Sequence, residues 1–281
     1  MSKRTKGWLM AATALLLIGS ILFVGVMTVL KWNFRKLSAD QYETNTHTVT
    51  EKISHVSVNV KTADVVLALS ADDTVSVVCH ERAEIKHAVA VEGDTLVVQA
   101  SEELKWYRDL GFHIENAKIT VYLPAGTYGE LKVHATTGDV TIPKDFSFAS
   151  ADVKVTTGDV AFSADVADDL AVKVTTGDMK LSVVTCRNLM ATATTGDVKL
   201  RQVIATEAFT IKCTTGNVSF DACDAASLSV KTTTGDITGT LLTPKVFDAH
   251  ATTGRVKVPQ TTEGGQCKLR TTTGHIKISL K

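Results

Sequence analysis

The residues with the greatest chemical potential form a single column. The position after the glycine in eight Thr-Thr-Gly triplets reads Asp139, Asp159, Asp178, Asp197, Asn217, Asp236, Arg255 and His275. Four successive carboxylates, Asp139, Asp159, Asp178 and Asp197, are candidate ligands for calcium, which gathers six to eight oxygens. The motif lacks the nine-residue Gly-Gly-x-Gly-x-Asp pattern of calcium-binding β-rolls. An aspartate at a turn also has a simpler task, accepting hydrogen bonds from nearby backbone N–H groups. If repeats stack at the ~4.8 Å strand spacing, neighbouring carboxylates approach the ~5 Å separation of a retaining glycosidase pair. Such a pair needs an acid and a base in different environments, and a uniform column gives every member the same one. No catalytic residue and no cofactor is assigned, and the chain reads as a non-enzyme.

Two further groups are candidates for binding. Residues 249–281 hold Arg255, Lys257, Lys268, Arg270, Lys277 and Lys281 against Glu263 alone. Within this basic end, Arg255, Lys257, Arg270 and Lys277 are candidates to meet an anionic polymer or lipid head group. A charged end also keeps strand edges from joining end to end. The segment Leu104–His113 is the most aromatic-rich stretch beyond the first 36 residues and interrupts the strand pattern. Trp106, Tyr107 and Phe112 are candidate contacts there, since aromatic residues favour binding hot spots; the same residues would also serve to cover the end of a core. The eight histidines are dispersed: His134 and His250 share a column but lie six repeats apart. The five cysteines, at 79, 186, 213, 223 and 267, include no CxxC pair, which argues against a disulfide framework or a zinc site. Cys213 occupies an apolar column, as a small buried residue would.

These residues must be positioned by strands. The eight glycines, at 138, 158, 177, 196, 216, 235, 254 and 274, are 19 or 20 residues apart, and such a fixed short period marks a repeat architecture. Five before the glycine stand Val133, Val153, Val172, Ala191, Ile211, Val230, Ala249 and Leu269; two after it stand Val140, Val160, Met179, Val198, Val218, Ile237, Val256 and Ile276. Apolar and polar residues alternate on both sides of the triplet, so each repeat holds two strands joined at Thr-Thr-Gly-Asp. Glycine supplies a positive φ at that corner without a Cβ penalty. The extra residue of the 20-residue copies falls in the opposite turn. A long antiparallel sheet of hairpins would need a covering layer, and no helix-period segment follows residue 37. The repeats therefore predict an all-β fold, a β-solenoid of about eight coils with inward columns forming a continuous core. Residues 49–130 follow the same grammar loosely, with a degenerate corner at Lys61-Thr-Ala-Asp-Val65, and are expected to form an irregular cap.

Ahead of the repeats, Gly7 to Leu30 carries no charge and is bracketed by Trp8 and Trp32. About 20 apolar residues suffice to cross a bilayer, interfacial aromatics flank such spans, and the exit Val-Leu-Lys-Trp-Asn-Phe offers no small-residue cleavage site. A transmembrane helix over 7–31 is expected, with 1–6 as a short cytoplasmic tail, 32–48 as a stalk, 49–130 as the cap and 131–281 as the solenoid. Both flanks are basic, so the positive-inside rule favours a cytoplasmic N-terminus and an extracellular C-terminal domain by a narrow margin. The formal net charge of zero resolves into +6 over residues 1–36, −11 over 37–248 and +5 over 249–281. That balance argues against a nucleic-acid binder.

The apolar N-terminal segment, the lead-in ending in Val121-Tyr122-Leu123-Pro124 and the repeated Thr-Thr-Gly-Asp-Val resemble a bacterial family, the putative-adhesin or toastrack domain of unknown function. The resemblance covers about residues 49–281. It implies a cell-envelope β-solenoid, often linked to membrane-stress or signalling modules, and it brings no agreed catalytic residues. The expected function is non-catalytic: a membrane-anchored binding, adhesin-like or scaffold protein, whose partner is an anionic envelope polymer or a membrane protein. The alternatives are a component of an envelope-stress signalling module and, remotely, a β-helical polysaccharide-acting enzyme.

Overall fold

In the computed structural model the described residues are 3–29, 31–32, 42–83, 85–100 and 117–281. They fall in two units, one containing the N-terminal helix and one containing all the strands. Helix α1 spans Lys3–Val29, and from Thr5 to Val29 it is long and apolar enough to cross a membrane. Most of its apolar side chains are exposed, among them Leu15, Leu16, Ile21 and Leu22, while Met27 is buried. Thr13, Ser20 and Thr28 donate their hydroxyls to carbonyls one turn earlier. These bonds satisfy the three hydroxyls within the helix itself.

The strand unit starts earlier than the repeats suggest. Strand β1 (Tyr42–Val49) pairs antiparallel with β4 (Val75–Arg82). Strands β2 (His55–Thr62) and β3 (Asp64–Leu69) form a full first rung. β2 lies parallel to β8 (Gly126–Thr137), and β3 to β9 (Val140–Ile142). The degenerate corner is real: the N–H of Ala63 donates to the carbonyl of Thr137, with Ala63 where later rungs have glycine. On the other side of this rung, β6 (Thr95–Ala100) pairs with β2 and β7 (Lys118–Leu123) pairs with β3, both parallel. Three antiparallel strands close that end: β5 (His87–Glu92) on β6, β4 on β7, and β1 on β4.

Beyond β8 and β9 the coils follow in sequence order through β10 (Phe146–Thr157), β11 (Val160–Phe162), β12 (Asp165–Val166), β13 (Asp169–Thr176) and β14 (Met179–Thr195) to β15 (Val198–Thr215) and β16 (Val218–Thr234). All of these pairings are parallel and in register on the Thr-Thr-Gly corner, for example Val153↔Val172 and Ala191↔Ile211. The stack is a β-solenoid of about eight turns with one continuous core of valine, leucine, isoleucine and phenylalanine. The opposite turn absorbs the length variation, with register shifts at Cys186/Asn188 and Ala205/Ala208.

The order then changes. Strands β17 (Ile237–Leu241), β18 (Lys245–Thr253) and β19 (Val256–Lys257) precede β20 (Gly265–Thr273) and β21 (Ile276–Leu280) in the chain. In space the last coil lies between the two before it: β20 pairs with β16 on one side and β18 on the other, and β21 lies between β17 and β19. The coil of Gly254 is therefore the edge of the stack. Its members of the core columns, Ala249, Ala251, Val256 and Val258, are only partly covered, whereas Leu269, Ile276 and Ile278 of the last coil are buried. Chain order and stacking order thus part at the C-terminal end. His134 and His250 are separated by seven rungs rather than six.

Candidate functional site

The corner column is built from the backbone outward. At each Thr-Thr-Gly-Asp the glycine has a φ between +132° and +148°, a region closed to side chains. A Cβ on Gly196 would also collide with the carbonyl of Gly177. The N–H of Gly158 donates to the Thr176 carbonyl (2.9 Å) and that of Val160 to the Asp178 carbonyl (2.9 Å), and the pattern recurs along the stack. The inward position three before the glycine adds another bond where it carries a hydroxyl. Buried Thr232 donates to the carbonyl of Gly216 (3.2 Å), and Thr271 to that of Gly235 (3.0 Å).

The aspartates lock successive rungs. Oδ1 of Asp64 accepts from the N–H of Asp139 (2.9 Å), Asp139 from Asp159 (2.8 Å), Asp159 from Asp178 (2.7 Å) and Asp178 from Asp197 (2.9 Å). Asp197 accepts from Asn217 (2.9 Å), Asn217 from Asp236 (2.9 Å) and Asp236 from His275 (2.7 Å). Finally Nδ1 of His275 accepts from the N–H of Arg255 (3.0 Å). The three departures from Asp are thereby explained. Asn217 and His275 keep an acceptor, and Arg255 stands on the last rung, where no further N–H follows. The candidate calcium ligands Asp139, Asp159, Asp178 and Asp197 thus each spend one oxygen on the next rung's backbone. Among the described residues no group of three or more His, Cys, Asp or Glu is placed to hold a metal ion.

Local charge reinforces this column in its middle. The carboxyl of Asp178 is held below its ordinary value, first by the N–H of Asp197 and then by Lys199, whose ammonium lies 3.0 Å away. Lys199 is raised in turn by Asp178.

The basic end is divided among surfaces. Lys257 and Lys277 are registered neighbours on the sheet that follows the corner. Arg255 sits on the corner of the edge rung, and Arg270 lies on the other sheet, paired with Asp248. Among the described residues Arg255, Lys257 and Lys277 have no ion-pair partner. Trp106, Tyr107 and Phe112 lie outside the described residues. They belong to a segment inserted between β6 and β7, which take the places of the two strands that meet at a corner in every other rung.

The five cysteines are all buried and free. Burial pushes the thiols of Cys79, Cys186 and Cys267 up to about 12, which leaves them protonated and unreactive at neutral pH.

Two buried charge pairs have no signature in the sequence. Lys245 (4% exposed) reaches Asp224 at 2.6 Å, and Asp224 also accepts from the Thr243 hydroxyl (3.0 Å). Lys245 opens the edge coil and is registered against Gly265 of the inserted coil. A Cβ at Gly265 would strike the Ala226 carbonyl. The bare glycine lets the lysine span the inserted coil and fasten the edge coil to the one beneath. In the cap, Oε2 of Glu81 accepts from the backbone N–H of His87 (2.7 Å) and lies 2.7 Å from its Nδ1. Oε1 of Glu81 accepts from the Asn45 amide (2.9 Å). The first joins two coils that only the tertiary fold brings together; the second closes the short turn between β4 and β5.

Among solved structures, a putative adhesin from Bacteroides fragilis NCTC 9343 is similar to this chain at 17% identity with a TM-score of 0.56, covering 86% of this chain and 99% of that one. A putative adhesin from Parabacteroides distasonis ATCC 8503 aligns at 10% identity over 85% of this chain and 98% of that one, with a TM-score of 0.45. A putative lipid binding protein from the same organism aligns at 13% over 84% and 97%, again with a TM-score of 0.45. At such identities the first likeness speaks to the fold alone. None of the curated proteins matches. The family described as Toastrack DUF4097 matches residues 53–169 and 163–281. Because those matches together span well over half of the chain, the protein belongs to the Toastrack DUF4097 family.

Proposed function

We propose that α1 anchors the protein in a cell membrane and that the solenoid stands outside the cytoplasm. There it binds another component of the envelope without catalysing a reaction. The observation that carries this reading is the contrast in how charges are used. The corner carboxylates are engaged with backbone, while Arg255, Lys257 and Lys277 at the edge of the stack have no ion-pair partner among the described residues. Unpaired surface cations raise the local concentration of anions and steer their approach. The name of the Bacteroides fragilis relative, a putative adhesin, agrees with a binding role.

The test uses the full chain in neutral phosphatidylcholine vesicles, mixed with purified cell-envelope fragments. The triple variant R255Q/K257Q/K277Q is expected to lose most of the bound envelope material. Undiminished binding would show that this end is a charged cap only. Protease treatment of intact cells tests the orientation, since a solenoid outside the cytoplasm is open to cleavage from without.

A further inference from the structure

The outward column four residues before the corner glycine reads, in spatial order, Asn59, His134, Lys154, Lys173, Thr192, Lys212, Lys231, Arg270 and His250. Neighbours in this column are direct cross-strand partners, so Lys154 faces Lys173 and Lys212 faces Lys231. Like charges directly opposite one another destabilise a sheet. Thr192 in the same column shows that the fold accepts a neutral side chain there.

Among the described residues nothing offsets the middle of the row. Lys154 pairs with Asp152, and Arg270 with Asp248. Among the described residues Lys173, Lys212 and Lys231 have no such partner. The column beside them holds Ala171, Met190, Thr210 and Ser229, with no charge at all. On the other side runs the first threonine of each triplet, here Thr175, Thr194, Thr214 and Thr233, mostly exposed. Met190 is 57% exposed in the midst of this polar surface.

We infer that this row is a track for a linear anionic polysaccharide bearing a carboxylate on each sugar, lying across the rungs along the stack. The inference rests on the reading of the chain as a binding protein, but uses a different surface from the edge cations. An extended pyranose chain advances by roughly the ~4.8 Å that separates neighbouring strands. Successive carboxylates then meet successive lysines. The threonine hydroxyls flank the sugar hydroxyls, and Met190 offers an apolar contact for a sugar's C–H face. The surface is flat and regular and carries no aromatic side chain for base stacking, which single-stranded nucleic acids use.

The experiment titrates the full chain, held in neutral phosphatidylcholine vesicles, with polygalacturonate at low salt. Inorganic polyphosphate, a neutral glucan and vesicles of anionic lipid serve as separate arms. Two charge-matched variants are compared, K173Q/K212Q/K231Q on the row and R255Q/K257Q/K277Q at the edge. The row variant is expected to bind polygalacturonate about tenfold more weakly, as three exposed ion pairs would give, with the edge variant unchanged. T192K, which fills the gap in the row, is expected to tighten binding and tests the proposal independently of any folding defect in the triple variant. Equal losses in both triple variants, no effect of T192K, or binding of polyphosphate or anionic lipid in place of polygalacturonate would each overturn it. Failure in every polyanion arm also overturns it, while retention of envelope fragments at the edge cations would leave the broader binding reading standing.

Discussion

The two turns of each coil solve the same problem with opposite strategies. At the Thr-Thr-Gly corner every rung has one length, one φ and one set of bonds to the next rung. At the opposite turn the coil varies in length and register, and it places non-glycine residues at positive φ: Val183 at 57°, Gln202 at 52° and Ala222 at 53°. The difference lies in what the neighbouring rung demands. The corner glycine is pressed against the previous rung's carbonyl, so any change there disturbs two coils. On the far side the strained Val183 is 55% exposed, so its side chain is not packed into the core.

Substitutions can break this contrast or sharpen it. The largest effect is expected at the corner. Gly196→Ala meets both a forbidden φ and the Gly177 carbonyl, and should cost more than about 3 kcal/mol, measured by denaturation of the full chain in detergent. Deleting Glu207 in the far turn should cost far less, because the coils on either side already differ there by one residue. A deletion as damaging as the glycine substitution would abolish the distinction.

One far turn should behave like a corner. Asp224→Asn leaves the Lys245 ammonium buried without its counter-charge, a change expected to cost about 3 kcal/mol. Lys245→Met should be milder, since Asp224 keeps the Thr243 hydroxyl and the Ala225 N–H. Hydrogen exchange at β18 amides would place the loss at the edge coil.

A smaller effect is expected for the corner carboxylates. Asp178→Ala removes the acceptor of the Asp197 N–H and should cost about 1–2 kcal/mol. Asp178→Asn should cost less, as Asn217 performs the same task in the next rung but one. The folded carboxyl of Asp178 titrates below its ordinary 3.8, so the stability it contributes is complete above that value and fades as pH falls through the lower one. The asparagine variant should therefore show a shallower loss of stability on acidification below about pH 4. The smallest change is a gain: Val183→Gly relieves a β-branched residue at positive φ and should raise stability by up to about 1 kcal/mol, read as a modest rise in Tm.

Much of this architecture was legible because it is periodic. The columns led by Val133 and Val140, the corner glycines and the degenerate corner at Ala63 all follow from alternation and spacing. The bond partner of each aspartate did not follow, since the sequence places Asp at the corner without saying which N–H it meets. The coil order was illegible for a related reason. The coils of Gly254 and Gly274 carry the same triplet, so pattern alone fits either arrangement. Three residue choices hint at the true one: Arg255 in place of an acceptor, and Ala249 and Ala251 where the inserted coil has Leu269 and Thr271. The Leu104–His113 segment was visible as an aromatic-rich interruption of the strand pattern. The charge pair Asp224–Lys245 joins residues of different coils whose proximity no local pattern encodes.

The interleaved end also sets an order of events during synthesis. A coil stacked in chain order can dock as soon as it leaves the ribosome, because its template is already complete. The edge coil of Gly254 has no such template when it emerges: the strands it pairs with, β20 and β21, are still to be made. It must wait, undocked, until β20 and β21 arrive and slot in beneath it. A chain arrested before β20 and β21 have emerged would therefore expose the edge coil with nothing to pair with, rather than being merely a coil short.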